Sequence, residues 1–137
     1  MRRLFALLLI LEGLSSALRF ASRLPVLMVY PPLTIAFMAA RFIVAVQQFS
    51  AGWMVMSGRP PGPTFARWAL TESAVLVTFE LGLGFAPTNL FPAYRWWAVG
   101  LYWTYALTGI FIFRASVSEP ARTERGGGAP RRFLSRL

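Results

Sequence analysis

The sequence predicts an all-α integral membrane four-helix bundle, with short Pro-rich loops and a disordered basic C-terminal tail. Three observations carry this. Apolar residues fill 56% of the 137 positions and mean hydropathy is +0.54, whereas soluble domains stay near about 45–50% even with glycine counted. Proline-rich breaks separate four apolar stretches, each near the roughly 20 residues that cross a bilayer. Each stretch also carries a narrow stripe of polar or small residues, which on an apolar helix points toward a bundle interior.

The first helix is expected over about residues 3–29. Met1-Arg2-Arg3 precedes the apolar run Leu4–Leu11, and Ser15-Ser16-Ala17 has the small residues of a signal-peptide cleavage site. A retained helix is preferred, because Glu12 interrupts the apolar core and apolar sequence resumes beyond Phe20. Glu12, Ser16, Arg19 and Arg23 share one face, and Leu7, Leu14 and Leu18 lie opposite. Pro31-Pro32 opens the second helix, about residues 32–57, since proline is accepted in a first helical turn and not later. Thr34, Arg41 and Gln48 recur every seven residues there, with Ala45 and Gly52 on the same side.

The turn Gly58-Arg59-Pro60-Pro61-Gly62-Pro63 leads to a third helix over about residues 64–86, with Thr64 as its cap and Ser73, Glu80 and Gly84 as its stripe. Arg41 and Glu80 lie about equally far from the centre of that turn, so two antiparallel helices place them at one depth. After Pro87–Pro92 a fourth helix is expected over about residues 93–115. It opens on the interfacial cluster Tyr94-Arg95-Trp96-Trp97, and Gly100, Thr104 and Thr108 form a ladder suited to close helix contact. One domain thus covers residues 1–115. Residues 116–137, polar and holding Gly126-Gly127-Gly128, are expected to be a disordered cytoplasmic tail.

All fourteen basic residues are arginine and all five acidic ones glutamate; Lys, Asp, His and Cys are absent. That excludes disulfides, thiolate and imidazole catalysis, His or Cys metal ligands and Schiff-base lysine. No enzyme, cofactor or metal site is expected. The net charge of +9 reads as a topology signal rather than a nucleic-acid surface. Ten arginines fall at the N-terminus, the second loop and the tail, against three (Arg19, Arg23, Arg95) on the other side. Both termini are therefore expected in the cytoplasm. The lysine-free composition points to a GC-rich bacterial genome, hence an inner (plasma) membrane. Arg122, Arg125, Arg131, Arg132 and Arg136 can tether the tail to anionic lipid head groups, at about 1 kcal/mol per arginine.

A charge within a bilayer finds a partner, so Arg41 and Glu80 are expected to form an intramembrane ion pair. Depth matching puts Arg19 in their layer and places Glu12, Gln47 or Gln48, and Glu72 in a second, more cytoplasmic layer. That second layer gives Glu12, Glu72 and Gln48 as a proton or cation site. Glu12-Gly13 followed by Arg19, over about twenty residues, resembles the small multidrug resistance exporters. The resemblance implies a first-helix glutamate that binds drug and protons in turn. Arg41, the Pro-rich loops, Glu80 and the basic tail depart from that pattern. The first functional reading is a non-enzymatic accessory or interaction subunit, partnered by another membrane protein or a second copy. The alternative is a proton-coupled transporter or exporter using Glu12 with Glu72 or Glu80.

Overall fold

The computed structural model describes residues 1–84 and 91–117, with side chains through residue 115. Helix α1 runs Arg2–Arg23. Pro25 cannot continue its hydrogen-bond ladder, so the chain tightens into a 3₁₀ segment, Leu24–Val29, and the expected continuous helix to residue 29 is instead a helix with a wound extension. Tyr30 turns to extended backbone, and Pro32 takes the first position of α2, Pro32–Met56. Gly58, at φ +70°, closes α2 with bonds from its own N–H to the Val55 carbonyl and from the Arg59 N–H to the Met54 carbonyl. This is the left-handed cap that glycine accepts without a Cβ penalty.

Helix α3 spans Gly62–Val77. It starts two residues before the expected position, Pro61 precedes it, and Thr64 lies inside it without capping. It passes into one π-helical turn, Thr78–Gly82, capped by Leu83 and followed by Gly84 at φ +72°, short of the expected residue 86. Helix α4 covers Pro92–Val117. The helix thus takes in Pro92, expected in the loop, and residues 116 and 117, expected in the tail; the rest of the expected tail and residues 87–90 of the expected loop lie outside the described residues.

Three helical segments are long and apolar enough to cross a membrane: Arg2–Val29, Pro32–Met56 and Pro92–Ala115. Helix α3 is not among them. It has only 16 residues before the π turn and carries Arg67 and Glu72. Sequential helices pack on one another, and α4 returns to touch α1.

Small residues set how closely the helices approach. A Cβ on Gly13 would sit 2.5 Å from the Ala45 carbonyl oxygen, and one on Gly52 2.6 Å from that of Ala6, so α1 and α2 meet nearly backbone to backbone. In an apolar solvent this close packing, not apolar burial, is what favours helix association. Ala51, Ala66, Ala69, Ala74 and Ala106 continue the small-residue core, filled out by Leu9, Leu70 and Phe113. The leucines opposite the polar stripe of α1, Leu7, Leu14 and Leu18, are exposed.

Candidate functional site

Four helices each send polar side chains to the middle of the bundle. Helix α2 contributes Arg41 and Gln48, α3 contributes Ser73, α1 contributes Glu12 and α4 contributes Tyr102. Arg41 donates from Nη1 to Ser73 Oγ at 3.1 Å, and its Nε lies 3.7 Å from Glu80 Oε2 in the π turn. Ser73 Oγ donates to Glu12 Oε1 at 3.5 Å, and Tyr102 donates to the same oxygen through a short hydrogen bond. Ser73 and Tyr102 also touch each other, and Gln48 Nε2 donates to the Tyr102 hydroxyl at 3.3 Å. The result is a continuous polar path, Glu80–Arg41–Ser73–Glu12/Tyr102–Gln48, that crosses all four helices.

Local sequence explains each placement. Gln48 is 1% exposed and Ser73 fully buried, because both lie on small-residue faces pressed against neighbouring helices. Arg41 and Glu80 keep about a fifth of their side-chain surface. The π turn adds a residue to α3 and turns Glu80 toward Arg41. Such single π turns recur where a helix must re-aim one side chain. Thr78 steadies it, donating to the Ala74 carbonyl and accepting from Trp103 Nε1 at 2.9 Å.

The structure thus brings Arg41 to Glu80, and Glu12 to within one hydroxyl of Arg41, merging the two expected layers through Ser73. It does not bring Arg19 into the cluster: Arg19 is exposed and bonds Ser15, one turn back on its own helix. Nor does it bring Glu72 in; no hydrogen bond or ion pair joins it to Glu12 or Gln48, and its neighbour Ser73 holds the inward position instead. The five tail arginines from Arg122 to Arg136 lie outside the described residues.

Two tyrosines were not singled out for this site by sequence. Tyr102 is its hub. Tyr105 lies beside the same carboxylate with its hydroxyl buried and without a well-formed hydrogen bond, its ring edge-on to Tyr102 at 5.7 Å. A signal existed: Val99, Tyr102, Ala106, Gly109 and Phe113 follow alternating spacings of three and four, the seam of a packed helix. The Gly100–Thr104–Thr108 ladder expected to make that contact is exposed on another face, and a Cβ on Gly100 would meet nothing within 4 Å. Gly109 makes the close approach instead, 2.7 Å from Leu70 Cδ1 for an added Cβ.

Comparison with family models, with curated proteins and with solved structures finds no match for this chain.

Proposed function

We propose that this chain is a multi-pass protein of a bacterial inner membrane that serves as a non-enzymatic accessory or interaction subunit, with α3 and its π turn (Gly62–Val77 and Thr78–Gly82) together making a fourth crossing that leaves both termini cytoplasmic. The observation that carries the reading is where the polar side chains are spent. Glu12, Arg41, Gln48, Ser73, Glu80 and Tyr102 bond to one another across helices, as polar groups do to hold a bundle in hydrocarbon. The chemistry that builds the site is that of a fold lock.

The outer face of α4 supports the same reading. Trp97, Leu101 and Phe111 are exposed there, and a groove of about 460 Å³ runs over Ala93, Trp96, Trp97, Gly100, Leu101 and Thr104. Thr104 and Thr108 bond carbonyls one turn back on their own helix, so this face can rest against lipid or against another protein's helix without an unmet polar group.

Gentle detergent extraction of the tagged chain, followed by identification of co-purifying proteins, tests the proposal. A stoichiometric membrane-protein partner is the expected result. A homodimer with no partner, together with substrate flux lost in Glu12→Gln, would replace it with the transporter reading.

A further inference from the structure

In the proposed orientation Arg19 and Arg23 lie toward the outer leaflet, the side on which arginine is least expected. Both belong to the face of α1 that carries Glu12 and Ser16. Toward the cytoplasm that face is covered: Ser16 is buried, and Glu12 accepts from Tyr102. One to two turns further out it is bare, and both arginines are exposed. Ring contacts give their depth. Phe20 stacks on Phe42 with centroids 4.8 Å apart, which sets Arg19 level with Arg41. Arg23 follows one turn further out along α1.

The charges at this end do not cancel. Arg41 meets Glu80 at 3.7 Å, while Arg19 and Arg23 form no ion pair among the described residues. Three guanidiniums thus stand at the level of one carboxylate. Arg19 is held against its helix by bonds from Nε and Nη2 to Ser15. Four residues apart on one face, Arg19 and Arg23 are neighbours, and paired guanidiniums suit the oxygens of a phosphate. Immediately beyond them, Leu24 and Val26 of the 3₁₀ segment are exposed. Cationic side chains beside an apolar ledge match an amphiphile better than a free anion.

We propose that Arg19 and Arg23 bind the phosphate of an anionic phospholipid, whose acyl chains lie against Leu24 and Val26. The site rests on the membrane reading above but not on a partner protein. A ligand that binds the folded state alone raises stability with its concentration. The test is thermal unfolding of the purified full chain in detergent micelles, followed by tryptophan fluorescence, with phosphatidylglycerol or phosphatidylcholine added at equal mole fraction.

Phosphatidylglycerol is expected to raise the midpoint by a few degrees over phosphatidylcholine, saturably. Arg19→Gln and Arg23→Gln should each weaken its apparent affinity about fivefold, and the double variant should lose the difference between the lipids. Arg19→Lys with Arg23→Lys keeps the charge without the planar fork and should fall between. The tail arginines are unchanged in every variant, so their effect cancels. Equal midpoints in the two lipids would overturn the proposal, as would a phosphatidylglycerol effect undiminished in the double variant. So would an equal rise from glycerol 3-phosphate in phosphatidylcholine micelles, since the ligand would then be a free phosphate ester. Release of the chain from membranes by alkaline carbonate would overturn the membrane reading and this site with it. Equal midpoints in a chain that resists carbonate would overturn this site alone.

Discussion

Tyr102 donates to Glu12, accepts from Gln48 and touches Ser73, so three other helices meet at one phenol. Tyr102→Phe keeps the ring and removes these bonds. It should cost about 1–2 kcal/mol, the range for hydrogen bonds between membrane helices, read as a lower midpoint of unfolding in mixed micelles. Arg41 and Glu80 call for a different experiment. Arg41→Leu or Glu80→Gln leaves an unpaired ion, a loss near the lower end of the ~3–5 kcal/mol seen for fully buried pairs, since each side chain keeps about a fifth of its surface. Exchanging the two, Arg41→Glu with Glu80→Arg, should restore part of the yield of folded protein. Full yield in either single variant would show that the pair contributes nothing. The pair itself was legible in the sequence, because a charge in an apolar stretch demands an opposite one and the turn sets the depth. Tyr102 was not, because tyrosine in an apolar helix is also an interface residue, and only its place on the α4 seam separates the two roles.

At the scale of elements, the α1–α2 contact is the tightest point of the bundle and α4's small-residue ladder is not used inside it. These facts give opposite expectations for similar substitutions. Gly13→Val or Gly52→Val drives a side chain into backbone 2.5–2.6 Å away and should destabilise by about 1–3 kcal/mol, the usual cost of overpacking. Gly100→Ala meets open space and should leave the isolated chain's stability unchanged or slightly higher. Urea or SDS titration of the three variants checks both halves. Helix number and order followed from hydropathy and proline spacing, since those act locally. Helix ends did not. The 3₁₀ extension after Arg23 follows from Pro25, a local signal outweighed by the apolar run around it, whereas the π turn at Thr78–Gly82 answers to the reach of Arg41 and leaves no periodic trace in sequence.

For the whole molecule, the proposed orientation, with both termini in the cytoplasm, can be read from outside. The chain has no cysteine, so single replacements give clean reporters. Met28, 95% exposed between α1 and α2, should react as Met28→Cys with an impermeant maleimide on intact spheroplasts. Ser57, exposed between α2 and α3, should react as Ser57→Cys only after permeabilisation. The reverse pattern would invert the topology. The claim on which the rest stands is that the central polar side chains hold the four helices as one cooperative unit. A double-mutant cycle on Glu12→Gln and Tyr102→Phe, measured by unfolding in mixed micelles, tests it most directly. Coupling of about 1 kcal/mol, within the range for residues in one network, is the predicted result; additive losses, with no coupling between α1 and α4 at this node, would contradict it.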